Sequence, residues 1–310
     1  MSMEFNSTQL IAHLKRAIVN SSVEMEPFPH FYVNELLPTE FFVEFVSLIP
    51  SRQKFDLADP ELLLEENKSF YFSDSEFAKL SPHHKYISKL MEICVTKTEC
   101  LIFEKLEPYV YLTLKMLFPT DWQERVLNVK ASIQPDHDII DRGPKFAIYP
   151  PHLDYSHSLG SWLYYLPQND KHPHLGTDIH EVRLSESGEI DLFEVYFSRK
   201  LSGLEFRLFK TSKYLPNTAF AFLNSPISFH GARAFDTTDH RQYLSNAIVY
   251  EEESFQRIFG HVPFDYHEMD PARKGKSISR IYSGKNKFKP RRIVSRKHLP
   301  RHLSLQSNAF

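Results

Sequence analysis

The chain has 310 residues, of which 42% are hydrophobic and 25% charged, with a formal net charge of −2. These values are globular, so they exclude wholesale disorder and allow one large domain or two small ones with a self-sufficient core. Two cysteines, Cys94 and Cys100, exclude a disulfide framework or a four-cysteine zinc site, and nine glycines without G-x-G-x-x-G or G-x-x-x-x-G-K-[ST] argue against a nucleotide fold.

Residues 8–19 place Leu10, Ile11, Leu14 and Ile18 at helical spacing. PFPHFYVNELLP (27–38) reads as a short strand entering a turn. A second helix is expected over 39–49, ended by Pro50. Residues 51–82 are polar and read as irregular. Residues 83–118 read as helix, with Ile87, Leu90, Met91, Val95, Ile102 and Leu106 as core positions and Pro108 as a break. Cys94 and Cys100 fall there as buried thiols, and His83-His84 at its start reads as surface.

The texture changes near Trp122. Eight short aromatic or β-branched runs follow between 126 and 250: VLNVKASIQ, FAIYPPHLD, SWLYYLP, EIDLFEVYF, GLEFRLF, TAFAFLN, SFHGARAF and QYLSNAIVY. All read as strands, and the spacing predicts a sandwich or barrel, including a jelly roll. Residues 251–269 return to a helical pattern. The expected organisation is a mainly helical region (1–125), a β core (126–252) and a C-terminal extension (253–310).

That extension ends in a basic arm. Residues 271–310 hold 12 Lys or Arg and no Asp or Glu, which leaves 25 of the 37 basic residues against all 39 acidic ones, a balance of −14 over the first 270. The arm is expected to lie on the acidic body, with phosphates or an acidic partner as the rival occupants. It lacks the aromatic interleaving of a single-strand binder. No apolar run approaches the ~20 residues of a membrane span. The polar N-terminus lacks the apolar stretch of a signal peptide, and the cysteines fit a reducing compartment. The expected location is the cytoplasm.

One constellation carries chemistry. His152 and Asp154 in YPPHLDYSH are alternate residues, which point to one face of a strand and can hold one metal ion together. His230, 76 residues beyond Asp154 in NSPISFHGARAF, ends a strand and is followed by Gly, so it can supply a third ligand. Two imidazoles and a carboxylate form the facial triad of non-haem Fe(II) oxygenases. Arg241, 11 residues after His230, can grip a carboxylate with two parallel hydrogen bonds. A molecule that chelates iron at one end and carries a carboxylate at the other would bridge metal and Arg241. 2-Oxoglutarate has that shape. His172-x-His174 is a rival pair, in a polar loop read as solvated, and Thr177 is either a site residue or a turn.

With HLD (152–154), LYYLP (163–167), LGT (175–177), AFLNSPISFHGARAF (221–235) and RQYLS (241–245) in this order, the sequence resembles the Fe(II)/2-oxoglutarate-dependent dioxygenases, in particular the prolyl-4-hydroxylase-like branch. The resemblance covers 126–250, with a weaker echo in 27–38. It implies a double-stranded β-helix, a jelly roll, with flanking helices and an N-terminal helical region. It implies Fe(II), 2-oxoglutarate and O₂ as cofactor and cosubstrates, with ascorbate as a reductant. His152, Asp154 and His230 would bind iron, while Arg241 and Tyr164, joined by the hydroxyl of Ser245, would hold the distal carboxylate of 2-oxoglutarate. Arg142 stands where the family often has a Tyr, which leaves Tyr149 and Gln134 as candidates for supporting the cosubstrate from that strand. The Asp154 carboxylate favours hydroxylation over halogenation, since halogenating relatives lack it. The implied reaction hydroxylates a peptidyl or prolyl residue, an amino acid or a small metabolite, with release of succinate and CO₂. Two alternatives stand beside it: a non-catalytic jelly-roll binding module, and a nucleic-acid-directed oxygenase that anchors phosphates through residues 271–310.

Overall fold

The computed structural model describes residues 5–49, 56–57, 67–71, 81–133, 138–142, 145–146, 149–184, 191–199, 201–236, 240–260, 262 and 291–293. Gln134 and nearly all of the basic arm lie outside them.

Among the described residues, five helices precede the β core. Helix α1 (Ser7–Asn20) is capped by the Asn6 side chain, which accepts from the Thr8 amide, and it buries Leu10, Leu14 and Ile18 at one-turn intervals. After the strands β1 (Val23–Glu24) and β2 (His30–Val33), α2 (Thr39–Ser47) buries Phe41, Phe42, Phe45 and Val46. Strands β3 (Asp56–Leu57) and β4 (Asn67–Tyr71) lie in the stretch expected to be irregular. The long α3 (Pro82–Leu106) has Pro in its first turn, where a missing amide costs nothing, and Ser81 as its cap. It stops two residues before Pro108, which sits in a 3-10 turn, and α4 (Val110–Leu117) continues. A short α5 (Trp122–Val126) ends on the first residue of the first expected strand run, of which Ala131–Ile133 forms the strand β5.

The core strands follow: β6 (Asp138–Arg142), β7 (Lys145–Phe146), β8 (Tyr149–His152), β9 (Ser158–Tyr165), β10 (Asp178–Leu184), β11 (Leu204–Thr211), β12 (Thr218–Leu223), β13 (His230–Ala232), β14 (Phe235–Asp236) and β15 (Arg241–Tyr250). The strand expected over 189–197 is corrected from residue 191 on, where the described residues resume. Leu192–Ser198 is a helix, α6, because Asp191 caps it by accepting from the Phe193 and Glu194 amides and because Val195 and Tyr196 bury at helical spacing. Helix α7 (Glu252–Phe259) follows β15, and β16 (Arg291–Ile293) pairs with β5.

The larger sheet runs β1-β2-β12-β9-β15-β6-β4-β3 along its main path, and the smaller runs β11-β10-β13-β8. Every pairing is antiparallel. The chain visits the sheets in a fixed order. It goes β6 large, β8 small, β9 large, β10 and β11 small, β12 large, β13 small, β15 large. This interleaving of two four-stranded layers is a jelly roll, the double-stranded β-helix. Four short strands from the N-terminal region extend the larger sheet, so that region is helical but not solely so.

Two cores result. The outer face of the larger sheet packs Trp162, Tyr164, Ala219, Ala221, Leu244 and Ile248 against the helices. Between the sheets lies a smaller cluster with Phe28, Tyr165, Leu175, Ile179, Phe220, Phe222 and Tyr243. Strands β9 and β12 are therefore covered on both faces, which is why their sequences read as continuous apolar runs.

Candidate metal centre

Strands β8 and β13 lie side by side, with His152 opposite His230. The two imidazole centroids are 4.3 Å apart. Asp154 follows β8, and its Oδ1 lies 3.6 Å from His230 Nε2. One donor atom from each of the three falls within 4.8 Å of the others, and this is the only such His/Cys/Asp/Glu group among the described residues. The pair His172 and His174 is not part of it.

The orientation of each donor is fixed from behind. His152 Nδ1 lies 3.0 Å from the Pro150 carbonyl, and His230 Nδ1 lies 3.1 Å from the Ser228 carbonyl. A carbonyl only accepts, so both rings carry the proton on Nδ1 and turn the Nε2 lone pair inward. Ser161, on the inner face of β9, donates to Asp154 Oδ2 at 2.5 Å. Such backing of ligands by carbonyls and hydroxyls is how metal sites set tautomer and aim. Burial, with His230 adding to it, pushes His152 down to about 3. Burial raises the Asp154 carboxyl, but the two imidazoles and Ser161 overcome this and hold it below the ordinary value. Neutral imidazole and ionised carboxylate are the ligating states, so the trio is ready for a cation at neutral pH. The donor set of two nitrogens and one oxygen, on one side of the ion, fits Fe(II) with open positions left over.

Aromatic rings flank the two imidazoles. Tyr149 stands edge-on to His152 at 4.4 Å, and Phe222 lies 4.5 Å from His230.

Arg241 opens β15, is 3% exposed, and points between the sheets. Its Nε donates to the Leu175 carbonyl at 2.5 Å and its Nη2 to Thr177 Oγ1 at 3.3 Å. It lies over the Tyr243 ring at 4.5 Å. It forms no ion pair among the described residues, so a buried cation stands without a counter-ion. Arg142, its cross-strand partner, donates to the Tyr243 hydroxyl at 3.2 Å. Burial raises that hydroxyl, yet the two guanidiniums prevail and hold its pKa below the usual tyrosine value. The link to the triad runs through β10. Thr177 precedes that strand, and Ile179 pairs with His230.

Tyr164 is not beside Arg241. Its hydroxyl donates to Asn217 Oδ1 at 2.7 Å and its ring meets Phe42, on the helix side of the larger sheet. The expectation is corrected by one residue: Tyr165 faces inward, opposite Tyr243, and its hydroxyl bonds Thr177 Oγ1 at 2.9 Å and Ser212 Oγ at 2.7 Å. Ser245 shares the inner face of β15 with Arg241 and Tyr243, opposite Leu163. Sequence reasoning also missed Ser161 and Ser212, for which no motif signals exist. Pairing alone brings them in.

Elsewhere, His83 pairs with Glu44 at 2.7 Å, and burial pushes the Cys94 thiol up to about 12, as for an inert core residue. No helix among the described residues is long and apolar enough to cross a membrane.

No protein-family model and no curated protein sequence matches the chain. Solved structures of similar fold include two prolyl hydroxylases and an alpha-ketoglutarate-dependent carbocyclase. A prolyl hydroxylase from Trichoplax adhaerens, solved with a fragment of hypoxia-inducible factor, is 10% identical with a TM-score of 0.43, covering 80% of this chain and 92% of that one. A prolyl-4-hydroxylase from Pseudomonas putida is 10% identical with a TM-score of 0.37, covering 78% and 99%. The carbocyclase SnoK from nogalamycin biosynthesis is 10% identical with a TM-score of 0.40, covering 80% and 87%. At these values the fold assignment rests on strand order, and the reading of the site rests on its own geometry.

Proposed function

We propose that this protein is an Fe(II)- and 2-oxoglutarate-dependent dioxygenase that hydroxylates a peptidyl or prolyl residue, an amino acid or a small metabolite. The observation that carries the reading is the pairing of two features inside one jelly roll. A cation-ready His152–Asp154–His230 trio sits on the smaller sheet, and an uncompensated buried guanidinium, Arg241, sits on the larger. Bound Fe(II) and 2-oxoglutarate supply oxidative decarboxylation to succinate and CO₂ coupled to oxygen transfer.

The chain's own residues do the rest. The backbone carbonyls of Pro150 and Ser228 hold the imidazoles, and Ser161 holds Asp154, so the donors need no reorganisation on loading. Arg241 compensates the distal carboxylate of the cosubstrate, and a buried, two-pronged grip of this kind is stronger than a neutral hydrogen bond. Thr177, Tyr165 and Ser212 form a hydrogen-bonded wall beside it that replaces Tyr164 in the expected role. Phe222 packs against His230 and Tyr149 stands edge-on to His152, so an aromatic ring supports each imidazole.

An anaerobic titration with Fe(II) and then 2-oxoglutarate tests this. A weak visible charge-transfer band should appear only with both present and vanish in His152→Ala and in Arg241→Ala. Succinate formation should cease in His230→Ala while the circular dichroism spectrum is kept. No band and no iron affinity in the wild type would overturn the proposal in favour of a binding module.

A further inference from the structure

Arg199 lies over Tyr155, the residue after Asp154, and has no counter-ion among the described residues. It is the C-terminal cap of α6, in the left-handed region with φ 51°, where glycine is the usual occupant. A side chain with a Cβ is costly there, by about 1 kcal/mol or more, so the backbone is held in a conformation that ordinary packing does not favour. The half-buried guanidinium lies over the Tyr155 ring at 4.1 Å. Tyr155 in turn stacks on His157, with centroids 5.3 Å apart and planes 15° from parallel. Three flat groups are thus layered directly after Asp154. Arg199 forms no ion pair among the described residues. Its charge lowers the pKa of two of the trio, His152 and Asp154, and of His157 beside them.

The charges explain what is missing. On the reading proposed above, iron and Arg241 are balanced by Asp154 and the two carboxylates of 2-oxoglutarate. Arg199 is then the cation left over. We infer that Arg199, stacked on Tyr155, binds an anionic group of the substrate, a carboxylate or a phosphate, beside the metal centre. A guanidinium held flat on an aromatic ring keeps its edge N–H groups free for two parallel bonds to such a group. The inference rests on the proposed activity only in calling the ligand a substrate.

The test uses the full chain with Zn(II) in place of iron, and two probes, inorganic phosphate and acetate, with acetamide as the neutral control. Binding is followed by the side-chain Nε–H NMR signal of Arg199, assigned from its absence in Arg199→Lys. Phosphate or acetate, and not acetamide, should shift that signal saturably in the wild type. Arg199→Gln should weaken the binding by about tenfold or more, a conventional step of about 1.4 kcal/mol. Arg199→Lys, which keeps the charge, should retain part of it. If phosphate shifts the signal and acetate does not, the substrate group is phosphate; the reverse assigns a carboxylate. The same affinity in Arg199→Gln as in wild type, or no saturable shift with either anion, would overturn the inference. So would anion binding that is lost in Arg241→Ala alone. An Arg199-dependent anion site in a protein that gives no charge-transfer band would instead overturn the proposed activity and leave the anion site standing.

Discussion

Tyr164 and Tyr165 show what one residue decides. They are adjacent, both are buried, and both end their hydroxyls on side chains. Yet β9 alternates, so Tyr164 faces Phe42 and Asn217 while Tyr165 faces Thr177, Ser212 and the ring side of Arg241. Their phenylalanine variants should therefore differ in kind. Tyr165→Phe removes the hydroxyl that receives the Thr177 amide and contacts Ser212, beside the guanidinium. It should weaken 2-oxoglutarate by about threefold to tenfold, the range of one lost hydrogen bond. Tyr164→Phe strips a hydrogen bond from Asn217, whose side chain also ties to both ends of the Leu37 peptide. It should cost about 1 kcal/mol of stability and leave cosubstrate affinity alone. Titration of the charge-transfer band in each variant, beside a thermal melt, separates them; equal losses of 2-oxoglutarate affinity would show that the inner face is misassigned. The sequence could not settle this choice, because the doublet sits on a strand buried on both sides and flanked directly by Leu163 and Leu166, and Ser161, the inward polar residue of the strand, carries no motif. His152, Asp154 and His230 were legible for the opposite reason. Polar residues on alternate positions, and a His before Gly at a strand end, stand out against apolar runs.

At the scale of elements, the approach of β8 to β13 makes the centre. His230 is opposite His152, and the residue that follows it is Gly231. A Cβ on Gly231 would lie 2.5 Å from the Tyr149 carbonyl oxygen and 3.1 Å from that of Pro150. Both are backbone atoms of β8, so neither can rotate away. Gly231→Ala should force the two strands apart, and the two imidazoles with them. The expected result is at least about a tenfold loss in Co(II) affinity, seen in the visible spectrum, with the fold retained and the melting temperature a few degrees lower. Unchanged Co(II) binding would mean that β8 yields without moving His152. Strand identities were legible here because short β-rich runs between turns have few other readings. Helix α6 was not. The run EIDLFEVYF has β-branched and aromatic residues enough for a strand, and only the Asp191 cap and the burial of Val195 and Tyr196 reveal the helical period. Seven residues are too few for that period to show in sequence.

Across the whole molecule, the centre is bound to stability through protons. His152 and His157 lie on the same stretch, and burial brings each down to about 3 from an ordinary value near 6.5. Each is neutral in the folded chain and takes a proton in the unfolded chain as pH falls below about 6.5. The unfolded state then holds more protons, so stability rises with pH between about 3 and 6.5 and is lost on acidification. The slope approaches about 1.4 kcal/mol per pH unit for each such histidine. The depressed Asp154 carboxyl pulls the same way at lower pH still, since its contribution is present above its unfolded value and lost as the carboxyl protonates. The metal-free protein should therefore show a urea midpoint clearly lower at pH 5 than at pH 7. His157→Gln, which keeps a polar side chain and cannot titrate, should flatten that difference while lowering the midpoint at both pH values. His152 and Asp154 already stand in their ligating states at both pH values, so loading with Zn(II) should raise the midpoint at pH 5 as well as at pH 7. Equal midpoints at pH 5 and 7 in the metal-free wild type would show that these rings are hydrated in solution and that the space around the centre is not closed to water. The same closure is what the aromatic lining must provide for chemistry at the metal, so one denaturation series measures a stability property and the dryness of the site together.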